Sequence, residues 1–188
     1  MKIPGGIRVR LALGLVLIVA GALGTAYLIV VPSLEQRLVD ARLDELEKLG
    51  VPLANELPEQ TTFWDEQIND FALTTNARVI AFVVLPRQPP ELLVIHDTRP
   101  RRPRNVTEDR IALAAVASRR VERGRIAEGM EEYAEVAVPL EFDAVVLFRA
   151  SLADALATVR LVERRLLLAT AFALALALVL GLTAAGML

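Results

Sequence analysis

The sequence predicts an α+β fold, an antiparallel sheet with a long N-terminal helix, held between two transmembrane helices. Three observations lead there. Leu11–Val31 and Leu166–Leu188 are apolar runs of 21 and 23 residues without a charge. As helices each spans about 30 Å, the hydrocarbon thickness of a bilayer. Between them, residues 32–165 hold all 23 acidic residues and 18 of the 21 basic ones. Within that polar stretch the apolar period changes from helical to strand-like and back.

The layout is a cytoplasmic N-terminus (residues 1–10), a first span (11–31), an extracytoplasmic domain (32–165) and a second span (166–188). Lys2, Arg8 and Arg10 precede the first span with no acidic residue among them, which places the N-terminus inside. The expected location is a bacterial cell membrane, multi-pass, with the central domain outside. A signal peptide cleaved after Gly24-Thr25-Ala26 is the alternative for the first run, but Tyr27–Val31 stays apolar beyond that point. The central stretch has a formal net charge of −5, which excludes a nucleic-acid binder. Its length supports one modest core. There is no cysteine, hence no disulfide and no thiolate metal site.

After the first span, Ser33 and Gln36 have the form of a capping box, and Leu34, Leu38, Ala41, Leu46 and Leu49 recur at helical spacing. Gly50 and Pro52 are expected to end this helix, with Pro32 as a kink or break before it. A second helix covers Gln60–Thr74, with Phe63, Trp64, Ile68 and Phe71 as its apolar side. Ala77–Leu85 and Glu91–His96 are apolar, partly β-branched runs joined by a proline-rich turn, a hairpin expected to be buried on both faces. Thr107 is expected to cap a helix reaching about Arg123 and stopped by Gly124. From Tyr133 to Leu140 the alternation predicts a half-buried strand with Ala134, Val136, Val138 and Leu140 inward. Val145–Phe148 reads as a central strand. Ser151 then caps a last helix that runs through Arg165 into the second span.

Two stretches give this order a family likeness: Ala77–His96 followed by Asp97-Thr98-Arg99-Pro100, and Ala134–Leu140 with Val145–Leu156. Together they resemble the first hairpin, closing hairpin and exit helix of extracytoplasmic PAS-like (PDC or single-Cache) sensor regions of bacterial two-component sensor histidine kinases. The glycine usual between that family's closing strands is not matched in Glu141–Ala144. The resemblance implies a PAS-like sheet and the sensory input module of a receptor that relays an outside stimulus through the second span. The partners it implies are a second copy of the chain, a small-molecule or ionic stimulus, membrane lipids, and a response regulator reached through a cytoplasmic region beyond Leu188. No cofactor is expected in this segment; ATP and magnesium would belong to the kinase region. The same input is compatible with a chemoreceptor or nucleotide-cyclase output. A complete two-span assembly or scaffold factor is the alternative of another class.

The basic loop Arg99, Arg101, Arg102 and Arg104 has the chemistry to clamp a carboxylate or phosphate, with Arg99 best placed beside the hairpin end. A solvated loop, or one on anionic lipid headgroups, accounts for the same residues. His96, the single histidine, adjoins Asp97 and is a candidate for acid sensing or for donating to an anion; a strand-end side chain meeting water is the plainer account. Trp64 and Tyr133 are candidates for lining an apolar pocket, with Phe63 read as core. Glu128, Glu131, Glu132 and Glu135 would hold a divalent cation or form a solvated hairpin face. No phosphate-cradling glycine loop, serine-nucleophile elbow, two-histidine metal motif or cysteine nucleophile is present, so no catalytic residue is expected in this segment.

Overall fold

The computed structural model describes residues 7–87, 89–99 and 106–187. The chain forms two compact units, one built from residues up to Arg37 and from Ala155 onward, the other from Leu38–Asp154. The fold is α+β with a five-stranded antiparallel sheet and a long apolar N-terminal helix.

That helix, α1, is Ile7–Asn55. It contains, within Val16–Asn55, a window of mean hydropathy 2.1, and among the described residues it is the one helix long and apolar enough to cross a membrane. The break expected at Pro32 is absent: the helix continues through it. Gly50 and Pro52 do not end it either. Pro52 lies in the last turn, where its missing N–H leaves the Lys48 carbonyl without an intrahelical donor and the helix ends three residues later. Gly50 is needed for close approach, since a Cβ there would stand 2.9 Å from the ring of Phe148, itself fully buried. A glycine read as a stop signal is therefore a packing residue.

α4, Ala153–Met187, is continuous and carries the second apolar run. In the first unit the Tyr27 hydroxyl donates to the Glu163 carboxylate, joining α1 to α4. Leu17, Ile18, Leu28 and Ile29 of α1 and Leu167, Leu168 and Phe172 of α4 are exposed.

The second unit centres on strands β1 (Arg78–Leu85), β2 (Glu91–Asp97), β3 (Glu122–Glu128), β4 (Glu131–Leu140) and β5 (Ala144–Ser151), in the order β2-β1-β5-β4-β3. The two predicted hairpins meet through β1 and β5, where Val79 pairs with Phe148 and Ala81 with Val146. One sheet face carries Val79, Ala81, Val136, Val138, Val146 and Phe148, matched by the α1 side chains Val39, Leu43 and Leu46. The spacing 39, 43, 46, 50 follows one helix stripe. It is not the stripe expected from sequence: of those four leucines and one alanine only Leu46 is buried, and Ala41 is exposed. α2 (Trp64–Thr75) buries Trp64, Ile68 and Phe71. Arg42 of α1 donates to the carbonyls of Thr75 and Asn76, both at 3.1 Å, and so satisfies the end of α2.

The other face holds Ile80, Phe82, Leu92, Ala137, Val145 and Leu147 against Ala112 and Ala115 of α3 (Arg110–Ser118). The helix expected from Thr107 to Arg123 is thus divided. Val106–Glu108 is a 3-10 turn, Asp109 rather than Thr107 caps α3, and Arg119 closes it in the left-handed region. Gly124 is a strand residue of β3, which the sequence reading missed. With α3 above it, β4 is buried on both faces from Ala134 to Val138 rather than half-buried. β2 is the opposite correction: as the edge strand it leaves Leu93 and Ile95 exposed. Ser151 ends β5, and its Oγ accepts from Ala153 N at 3.2 Å, so it acts at the start of α4 as expected.

Candidate functional site

The sheet face under α3 is apolar along β1 and β5 at one end and charged at the other, and the charged end contains the most unusual chemistry in the chain. Arg149 projects from β5 beside its β4 partner Glu135, and the pair is buried, Glu135 completely. Arg149 Nη2 donates to Asp109 Oδ2 at 2.9 Å and Nη1 to Glu128 Oε2 at 3.3 Å. The ring of Tyr133 lies 5.4 Å from the guanidinium carbon, and the Tyr133 hydroxyl donates to Glu131.

Local sequence explains this convergence. Asp109 uses its other oxygen to cap α3, accepting from Ile111 N and Ala112 N at 3.0 Å each, so one carboxylate ties a helix start to a central strand. Gly124 pairs with Glu135 across β3 and β4. A Cβ at Gly124 would come within 2.7 Å of Ile111 Cδ1, so the glycine lets Ile111 close over this part of the sheet. Glu135 is left dry. Arg149 Nε lies against Glu135 Oε1, but without the direction of a hydrogen bond, and both Glu135 oxygens are buried with no hydrogen-bond partner.

Burial is the main cause that pushes the Glu135 carboxyl up, the negative Asp109 adds to it, and Arg149 offsets only part, so its pKa is pushed up to about 8. Burial opposes the charge of Arg149, but Glu135, Asp109 and Glu128 outweigh it and raise its pKa. Burial thus favours the neutral form of Glu135, while the carboxylates around Arg149 hold it charged. The sign for stability follows. The raised Glu135 pKa costs nothing below about pH 4.5; stability then falls as pH rises, until the loss is complete above about pH 8. Its slope is about 1.4 kcal/mol per pH unit. Denaturant titrations of the full chain at several pH values are expected to show this fall, and Glu135→Gln is expected to remove it.

Next to this cluster, Arg78 of β1 makes a double ion pair with Asp97 of β2 at 2.8 and 2.5 Å. Burial pushes Asp97 up, but the hydrogen bonds from Arg78 and from the backbone N–H of Arg99, with the Arg78 charge, hold it below the usual carboxylate range. Asp97 and Asp109 thus stand at the two ends of the segment holding the arginine-rich loop.

The predicted site residues separate. Arg101 and Arg102 lie outside the described residues. Arg99 is exposed, and its backbone N–H donates to Asp97 Oδ1 at 3.0 Å. His96 Nδ1 is 2.7 Å from Asp65 of α2, while Nε2 is buried without a partner. Trp64 is in the core: it is 1% exposed, its Nε1 donates to Pro58 O at 2.8 Å, and its ring meets Phe142 at 5.8 Å. Phe63, read as core, is 64% exposed. Tyr133 belongs to the Arg149 cluster. His96 and Tyr133 lie on opposite sheet faces, three strands and five residues of register apart, roughly 20 Å by strand geometry. The acidic run is divided: Glu135 is buried, Glu131 is exposed, and Glu128 and Glu132, half-buried, pair with Arg149 and Arg125. Among the described residues no group of three His, Cys, Asp or Glu is arranged to hold a metal ion.

No family model, curated protein or solved structure matches this chain in comparison. What the site does must be argued from its own chemistry. A separate cleft of about 550 Å³ lies between Val84, Val116, Leu140 and Val145, with Arg119, Glu141 and Asp143 at its rim; none of the predicted site residues lines it.

Proposed function

We propose that the chain is the transmembrane sensory input module of a bacterial receptor, a two-component sensor histidine kinase, with a PAS-like extracytoplasmic domain and a second span in α4. One observation carries this reading. β5, the most deeply buried strand, bears Arg149 and passes through buried Leu152 directly into α4, which continues unbroken to Met187. The Leu152 N–H is held by Glu132 O of β4 at 2.9 Å, so the exit of the sheet is tied to the strand carrying Glu135.

Supporting it, the exposed leucines and phenylalanine of α4 repeat the pattern of the apolar half of α1, as lipid-facing helices require. A change at the charged end of the sheet reaches a helix directed at the membrane through three covalently consecutive residues. The stimulus shifts the output only by its differential affinity for the two states of that strand and helix. A second copy of the chain, pairing through small residues of the spans such as Gly14, Gly21 and Gly24, would complete the receptor.

The test joins the chain through Leu188 to a cytoplasmic histidine-kinase reporter in bacterial membranes. Autophosphorylation is expected to respond to outside conditions. Placing glycines at Ala157 and Thr158 is expected to abolish that response, because the two changes weaken the helix by about 1–1.5 kcal/mol and free its backbone to bend. A reporter indifferent to every outside condition, or equally responsive with the two glycines, overturns the reading.

A further inference from the structure

We infer that Glu135, Arg149 and Asp109 form a proton-binding site on the strand that enters α4, in which a neutral Glu135 leaves one guanidinium to serve Asp109 and Glu128, and loss of the proton sets a third carboxylate in competition for it. For its signalling consequence, though not for the proton site, the inference rests on the sensory reading above.

The stoichiometry comes first. One buried cation faces three carboxylates: its terminal nitrogens donate to Asp109 and Glu128, and its Nε lies against Glu135, whose two buried oxygens accept no hydrogen bond. An ionised carboxylate in that position would bring a second net negative charge into a site closed by Ile111 and the sheet. Protonation removes that cost and turns Glu135 into a donor that can reach Asp109.

Among the described residues, no other group supplies the missing charge. From β1, Arg78 is the Cα partner of Arg149, but it is committed to Asp97 of β2. From α3 comes Asp109, from β3 Glu128, and from β4 Tyr133, which places its ring on the guanidinium and its hydroxyl on Glu131. The residues of β3 beside Glu135 and Tyr133 are Gly124 and Ile126, which carry no charge.

The chemical step is the simplest one. The Glu135 carboxyl loses H⁺ to water and becomes a carboxylate. That carboxylate adds a full charge to the contact already made with Arg149 Nε, so one guanidinium charge is shared among three carboxylates that repel one another, and its hold on Asp109 and Glu128 weakens. Asp109 holds the start of α3 and Arg149 lies on β5, so loss of the proton changes how α3, β4 and β5 are tied just before α4. The stimulus is alkalinity.

The experiment is infrared difference spectroscopy of the full chain in lipid nanodiscs between about pH 6 and about pH 10. One buried carboxylic-acid band is expected to disappear with a midpoint near pH 8 and to be missing from Glu135→Gln. Asp109→Asn, which keeps a helix-capping oxygen but removes a charge, is expected to lower the midpoint by on the order of one pH unit. Absence of the band, or its persistence in Glu135→Gln, overturns the site; should Glu135→Gln fail to fold, an unmoved midpoint in Asp109→Asn does the same. In the reporter fusion, output should follow the same midpoint and lose its pH dependence in Glu135→Gln. A flat wild-type output beside a titrating band keeps the proton site and removes the sensory reading. An output that follows pH equally in both proteins removes the site's part in signalling.

Discussion

Replacing Arg149 by methionine is expected to destabilise the Leu38–Asp154 unit by about 3–5 kcal/mol, because it leaves Asp109 and Glu128 facing each other with their shared cation gone. The loss is a large part of the ~5–15 kcal/mol that holds a typical domain together. Methionine keeps much of the stem volume, so the loss isolates charge from packing. Asp109 suffers most: one of its oxygens still caps α3, while the other is left buried beside apolar atoms. Trp64, the single tryptophan and a core residue, reports unfolding directly in denaturant titrations monitored by fluorescence. Combining Arg149→Met with Asp109→Asn should recover part of the loss, since the second change removes the stranded charge and keeps the cap. A cost below about 1 kcal/mol for Arg149→Met, the range of exposed ion pairs, would show that water reaches the cluster.

Trp64→Ala is the second large effect, at about 3–5 kcal/mol, followed by circular dichroism because the fluorophore is gone. The ring is buried against Phe142, and its N–H is spent on the Pro58 carbonyl. Trp64→Phe keeps the aromatic contact and loses the donor, and should cost about 1–2 kcal/mol. These numbers separate the two roles open to this residue from sequence. A ring waiting at a pocket surface would be removed with a change within about 0.5 kcal/mol, whereas a core ring cannot be.

The same contrast runs through the rest of the chain. Strong periodicity was legible: the β1–β2 and β4–β5 hairpins, α2 and the helical start after Ser151 fall close to where their residue patterns place them. Weak punctuation misled. Gly50 carries the signature of a helix end, yet Phe148 pressing on it demands a residue without a side chain, and the helix runs on. Gly124 carries the same signature and instead sits in β3, where Ile111 demands the space. Residues 122–128 mix four charges with Gly, Ile and Ala, too polar to announce a strand, and only pairing with β4 makes them one. Arg149 was visible as the one charge inside the apolar run of β5, and Glu135 as a charge in an alternating strand. Neither carries a local sign that the two lie side by side.

By itself the sequence determined what depends on neighbours along the chain: a long apolar N-terminal helix, a second apolar run at the other end, a polar α+β stretch between them, the lack of thiol chemistry, and the identity of most strands. Tertiary structure decided which face of α1 meets the sheet, that α3 covers β4 and dries Glu135, and that Asp109, Glu128, Glu135 and Arg149 share one buried site. The physical reason is that propensity and periodicity act over a few residues, whereas desolvation depends on what lies above a side chain in space. A glutamate in an alternating strand is ordinarily solvated. Here Gly124, 11 residues away in sequence, leaves room for Ile111, 24 residues away, to close over the sheet that bears it, and burial favours its neutral form.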